Sequence, residues 1–301
     1  MTDLPGMVVS GYGGFYQVRL ADGDILDCKP RGRLKKDFSK IYSGDKVTVS
    51  PGPDNTGMIE SIAPRRLLLP RPNIANVDRV IIVLAWSMPD FDLLLADRLL
   101  VIAQRIGIDP LICFNKIDFL TKDREKEFLT IKAAYEQAGF PVFSVSAACD
   151  QGIDSLRRVM DEGITVFAGQ SGVGKSSLLN RLLPDENAQV GVVSDRLRRG
   201  KHTTRYTRIL PLDEKGKGFI ADTPGFFTLD LPDDLPLSQL PLWYPEFRKL
   251  PPCRFDGCLH DKEPDCQVKK AVAEGRIDMG RYQRYLRLLQ EIREREEVRY
   301  R

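Results

Sequence analysis

The chain has 301 residues, 42% hydrophobic and 29% charged, so at about 150 residues per domain it has room for two domains or three small ones. Its 45 basic and 42 acidic residues leave a net charge of +3, which argues against a wholesale basic nucleic-acid binder but leaves local basic patches open. The longest apolar run, Val80 to Trp86, is far short of the roughly 20 residues of a membrane span. No secretory signal is visible, and six cysteines are too few for a disulfide scaffold, so a cytoplasmic chain with reduced thiols and no membrane partner is expected.

Residues 1–66 read as a β-rich domain. Short alternating runs at Met7–Ser10, Phe15–Leu20, Ile25–Lys29, Lys46–Ser50 and Gly57–Ile62 are separated by Gly, Asp and Pro. Five such strands suit a small barrel, either an OB-fold or an SH3-like barrel. Between Lys29 and Lys40 lie Arg31, Arg33, Lys35 and Lys36 against the single acid Asp37, with Phe38 and Tyr42 nearby. Such a loop can track a phosphate backbone and stack bases, or it can be a solvated basic loop.

Residues 67–230 change to alternating β and α. Buried-strand runs at Arg79–Ala85, Pro110–Asn115, Pro141–Ser146, Gly163–Gly169 and Gly218–Asp222 enclose helical segments at Phe91–Ile106, Lys122–Ala138, Gly152–Asp161 and Lys175–Leu183. This pattern predicts a mostly parallel sheet with helices on both faces and ligands at the carboxyl ends of its strands. In residues 231–301, Pro232, Pro236, Pro241, Pro245, Pro251 and Pro252 interrupt any long element ahead of a Cys/His cluster. A helix is predicted from about Asp278, with Tyr282, Tyr285, Leu286, Leu289 and Ile292 on one face and an arginine-rich face opposite.

The nucleotide chemistry is carried by five segments. Gly169, Gln170, Ser171, Gly172, Val173, Gly174, Lys175 and Ser176 fit G-x-x-x-x-G-K-[ST], with a strand before and the helix-forming run SSLLNRLL after, whose Ser177 is also a candidate GTP-binding residue. Backbone amides there can cradle phosphates, Lys175 can reach the β- and γ-phosphates, and Ser176 can ligate Mg²⁺. Asn115, Lys116 and Asp118 form an N-K-x-D pattern whose carboxylate can accept both N1–H and N2–H₂ of guanine, donors that adenine lacks there. Asn115 supports the base edge and the Lys116 stem can lie over its face. Ser146 and Ala147 match the turn that offers an amide to the guanine O6. Asp222 and Gly225 bound a D-x-x-G pattern, Asp222 toward Mg²⁺ through water and Gly225 toward the γ-phosphate. Thr203 and Thr204 fall where a threonine of the first switch completes the Mg²⁺ shell, and of the two Thr204 is favoured. One strong pattern with four weak ones, each at a strand end, makes a GTP site.

The order of these segments differs from ordinary small GTPases, where the phosphate loop comes first. Here N-K-x-D and Ser146–Ala147 precede the phosphate loop and D-x-x-G comes last, a circular permutation. The second switch therefore runs directly into the C-terminal segment and can transmit nucleotide state to it.

Cys253, Cys258, His260 and Cys266 gather half of the six cysteines and one of the two histidines. Cys₃His is a closed structural zinc set, able to supply folding energy where few large apolar side chains are present. Cys28, Cys113 and Cys149 are scattered and read as structural.

The permuted order, the GQSGVGKSSLLN loop, the KHTT and DTPG segments and the C-x4-C-x-H-x5-C cluster resemble the bacterial ribosome small subunit-dependent GTPase A family over essentially the whole chain. The resemblance implies a multi-domain α/β fold: an RNA-binding OB-fold in 1–66, a circularly permuted P-loop GTPase domain in 67–230 and a zinc-binding domain with a C-terminal helix in 231–301. It also implies GTP hydrolysis stimulated by the 30S subunit during its late maturation, with 16S rRNA as a partner and no DNA. A monomer is expected. The N-terminal extension common in the family is not expected, leaving residues 29–40, the run Arg196, Arg198, Arg199, Lys201 and Arg205, and the helical arginines to contact phosphates. In Ras-type enzymes a glutamine after D-x-x-G orients the attacking water. Phe226 and Phe227 stand there in this chain, so slow intrinsic hydrolysis is expected, with His202 the candidate catalytic group. In the alternative reading the chain is a GTP-gated RNA-binding module in which occupancy, not hydrolysis, is the function. A permuted GTPase acting on the large subunit fits the barrel and zinc cluster less well.

Overall fold

The computed structural model describes residues 3–32, 40–70, 73–183, 207–213, 216–222 and 230–299. β1 (Leu4–Tyr12), β2 (Phe15–Leu20), β3 (Ile25–Pro30), β4 (Lys46–Pro51) and β5 (Thr56–Ile62) close into a barrel of order β1-β2-β3-β5-β4. Strand alternation builds it. Val8, Val18, Leu26, Cys28, Val47, Val49 and Ile59 are buried in one cluster, with the residues between them turned outward. β3 and β5 are parallel and the other neighbours antiparallel, which decides for an OB-like barrel. β6 (Leu68–Pro70) and β7 (Asn73–Ala75) pair as a short ribbon that patterning does not anticipate, because three-residue strands are too short to show alternation.

β8 (Val77–Ala85), β9 (Asp109–Asn115), β10 (Val142–Ser144), β11 (Gly163–Ala168), β12 (Arg208–Pro211) and β13 (Gly218–Asp222) form a sheet of order β10-β9-β8-β11-β13-β12. β10 runs parallel to β9 and β11 to β13, while β12 is antiparallel to β13. Val80 through Trp86 are buried without alternation, as in a strand covered on both faces. The interleaved helices are α1 (Leu93–Arg105), α2 (Glu125–Ala138), α3 (Ile153–Arg158) and α4 (Lys175–Leu182). Asp92 caps α1 by accepting the Leu95 amide at 3.0 Å, and Gly139 ends α2 at φ 103°. β12 is the sheet strand that the sequence reading lacks.

A 3₁₀ helix (Leu237–Trp243), α5 (Pro245–Arg248), α6 (Gln267–Ala273) and α7 (Met279–Arg299) complete the described chain. Tyr282, Tyr285, Leu288, Leu289 and Ile292 of α7 are buried, in one cluster with Leu240, Phe247, Val268 and Val272; Leu286 only packs against it. Arg281 shares this stripe, at i, i+4, i+7 and i+11 with Tyr285, Leu288 and Ile292. It is 2% exposed, its guanidinium 2.7 Å from Asp97 and hydrogen-bonded to Glu246. Arg284 also binds Asp97, at 2.6 Å. These two arginines are therefore internal counter-ions, and the expectation that they reach RNA phosphates is corrected: helical spacing turns them inward, where Asp97 and Glu246 neutralise them.

By compactness the chain divides into one unit of residues 1–81, 147–168 and 174–226 and another of residues 82–146, 169–173 and 227–301. Among the described residues no helix is long and apolar enough to cross a membrane.

Candidate functional site

Within the second unit, β9 delivers Asn115 at its end and the chain then turns sharply. Lys116 is left-handed at φ 62° and a 3₁₀ turn follows over Ile117–Phe119. Asn115 is buried, and its Nδ2 donates to the carbonyl of Val173 at 2.9 Å, tying the N-K-x-D loop to the G-x-x-x-x-G-K-S loop. The Ser146 hydroxyl donates to Asp118 Oδ1 at 2.5 Å, orienting a carboxylate that itself meets solvent. Gly169 adopts φ 135° with its Cα pressed against β8: a Cβ there would lie 2.3 Å from the Val83 carbonyl oxygen. Only glycine allows that approach.

Within the first unit, left-handed Gly174 (φ 94°) opens α4 with no side-chain cap. The first-turn amides of α4 are thus suited to an anion, and Lys175, Ser176 and Ser177 are the first residues of that helix. Burial lowers the Lys175 ammonium below its ordinary value. Burial raises the Asp222 carboxyl at the end of β13, partly offset by Arg208, its cross-strand partner. A half-buried cation and a half-buried carboxylate are compatible with a phosphate chain and Mg²⁺. Arg181 Nε donates to the Ala147 carbonyl at 3.0 Å.

His202, Thr203, Thr204, Gly225, Phe226 and Phe227 lie outside the described residues, as do Arg33, Lys35, Lys36, Phe38 and the run Arg196, Arg198, Arg199, Lys201 and Arg205. Thr207, the first described residue after that run, accepts the Ser43 hydroxyl at 2.9 Å.

The ligating atoms of Cys253, Cys258, His260 and Cys266 all lie within 4.8 Å of one another. His260 Nδ1 is 3.3 Å from Cys266 Sγ and 3.6 Å from Cys253 Sγ, and the latter two sulfurs are 3.9 Å apart. A tetrahedral zinc ion with thiolate bonds near 2.3 Å has edges of about 3.8 Å, so the set fits. Burial lowers the His260 imidazole, keeping it in the neutral form a ligand needs, and raises the thiols of Cys258 and Cys266. When bound, zinc supplies the charge that stabilises those thiolates. The supporting shell, which ligand spacing alone does not reveal, comes from three other residues. Glu263 accepts the amides of Leu259 and Asp261, each at 2.9 Å. Tyr282 and Tyr285 of α7 donate their hydroxyls to the carbonyls of His260 (2.6 Å) and Leu259 (2.5 Å).

Residues 62–232 match the sequence model of the RsgA GTPase family, and residues 5–59 that of the RsgA N-terminal domain. The chain is 40% identical over 296 residues to the small ribosomal subunit biogenesis GTPase RsgA of Halalkalibacterium halodurans, covering 98% of this chain and 99% of that one. It is 39% identical over 301 residues to the protein of the same name from Caldanaerobacter subterraneus subsp. tengcongensis, covering 100% and 99%. Among solved structures, YjeQ from Thermotoga maritima superposes with a TM-score of 0.82 at 31% identity, covering 97% of this chain and 99% of that one. YloQ, described as a circularly permuted GTPase, also superposes with a TM-score of 0.82, at 30% identity and 98% and 96% coverage. The chain belongs to the RsgA family of GTPases.

Proposed function

We propose that this GTPase acts in biogenesis of the small ribosomal subunit. It binds the 30S particle and 16S rRNA through the barrel (1–66) and zinc domain (231–301), and hydrolyses GTP in the permuted core (67–230) when the subunit stimulates it. The names of its relatives support the subunit. The observation that carries guanine chemistry is the pair of bonds that orients Asp118 from Ser146 and ties Asn115 to Val173.

In this reading Asp118 and the Ala147 amide select guanine, Lys116 lies over the base, and residues Gly169 to Ser177 with Lys175 hold the phosphates. Mg²⁺ supplies charge neutralisation on the phosphate oxygens. Ser176, Asp222 and Thr204 are its holders, Gly225 senses the γ-phosphate, and His202 takes the place of the glutamine that Phe226 and Phe227 displace. The exposed aromatics Tyr12 (70%) and Phe15 (54%), with Lys29 Nζ 4.7 Å over the Phe15 ring, support base stacking on the barrel. The protein works as a cytoplasmic monomer.

Those two phenylalanines favour a second reading, in which nucleotide occupancy gates RNA binding and hydrolysis is incidental. The two separate on release from 30S subunits after loading with GTP or with a non-hydrolysable analogue. Retention with the analogue and release with GTP support the enzyme, whereas equal release with both supports the gate.

A further inference from the structure

We propose that the segment Trp86–Phe91, which joins β8 to α1 and carries none of the nucleotide motifs, is a positioning element of the nucleotide site. This rests on the guanine-site reading above. Three contacts place it. The Lys116 ammonium donates to the Met88 carbonyl oxygen. The Pro89 ring abuts the phosphate loop, since a Cβ on Gly172 would sit 3.5 Å from Pro89 Cδ, ordinary van der Waals distance. The Trp86 amide donates to the carbonyl of Asn115 at 2.9 Å. One short loop thus touches the base-reading turn twice and the phosphate loop once.

The loop is also held at both ends. Trp86 is fully buried, stacks on Phe91 at 4.9 Å and 16°, and meets Phe128 edge-on at 5.1 Å. The Arg124 guanidinium lies 4.7 Å over the Trp86 ring and is itself fixed to Glu127 at 3.0 Å. Lysine is a flexible stem with a strongly hydrated head, and placing it over a base costs side-chain entropy. A carbonyl that already holds the ammonium lowers that cost before the nucleotide arrives, which is preorganisation. Because the partner is a backbone oxygen, the role belongs to the conformation of the loop and not to a side chain.

The test is a double-mutant cycle on the full chain, read as the equilibrium Kd for a fluorescent methylanthraniloyl GDP. Met88→Gly and Pro89→Ala, which loosen the loop, are expected to raise Kd about tenfold alone and less than twofold when Lys116→Met is already present. The thermal midpoint of the nucleotide-free protein should not move. Unchanged Kd in the single variants, or the same loss with and without Lys116, would overturn the proposal. If Asp118→Ala and Lys116→Met leave GDP binding intact, the guanine-site reading itself fails and takes the proposal with it. Should the loop variants not fold, the Trp243→Phe protein leaves Trp86 as its single tryptophan. Its emission should change on binding GDP and not on adding ADP; no change with GDP counts against the proposal.

Discussion

Asp118 meets solvent while Ser146, which orients it, is buried, so the guanine selectivity proposed for it depends on geometry held from beneath. Replacing it with asparagine puts a donor where guanine also offers donors. Asp118→Asn should therefore weaken GTP binding by roughly 10²–10⁴-fold and favour a xanthine nucleotide, whose carbonyl at that edge accepts the new donor. A competition assay with the two nucleotides checks it. Lys175→Ala should lower kcat by roughly 10²–10³-fold, as for other single donors to a developing negative charge. Wild-type turnover in that variant would remove the phosphate-loop assignment. Residues of this kind were legible because the chemistry proposed for them demands their identity: accepting both N1–H and N2–H₂ of guanine takes a carboxylate, the role proposed for Asp118. The Met88 carbonyl was not legible, since every residue carries one and only the fold says which faces a lysine.

At the scale of elements, the joint between α1 and α7 is the least expected feature. Asp97 is buried and accepts from Arg281 and Arg284, while Arg281 lies between Asp97 and Glu246 and faces the rings of Tyr135 and Tyr244 at 5.2 and 4.9 Å. Removing one partner strands a buried charge. Asp97→Ala is expected to cost ~3–5 kcal/mol in urea denaturation. Arg281→Met, which leaves Arg284 on Asp97, should cost less. The hydrophobic period of α7 was readable, and Tyr282, Tyr285, Leu289 and Ile292 are buried as expected. The arginines were not, because composition counts a charge without saying whether an acid from another element awaits it. The Cys₃His cluster was readable from spacing, whereas Glu263 and the two tyrosine hydroxyls were not. Chelation should release one equivalent of zinc, measured with a colorimetric dye, and lower the thermal midpoint. A midpoint indifferent to chelation would make the metal dispensable to the fold.

For the whole molecule, a net charge of +3 is an average that conceals its distribution. The barrel keeps Lys29 over an exposed aromatic, whereas Arg31 is paired with Glu60 and the α7 arginines are partly consumed by Asp97, Glu246 and Asp261. Subunit binding should still weaken steeply with salt, since each phosphate contact releases counter-ions. The segment order exposes the permutation in the sequence, and the five-stranded barrel with its parallel β3–β5 pair settles what alternation alone left open between two barrel types. We propose a GTPase whose catalytic group is put in place by the small subunit. Its most direct test is GTP turnover by the full chain alone, with isolated 30S subunits and with 50S subunits. Slow hydrolysis alone and with 50S, against a large increase with 30S, is the predicted result. Equal rates in all three, or stimulation by 50S, would contradict it.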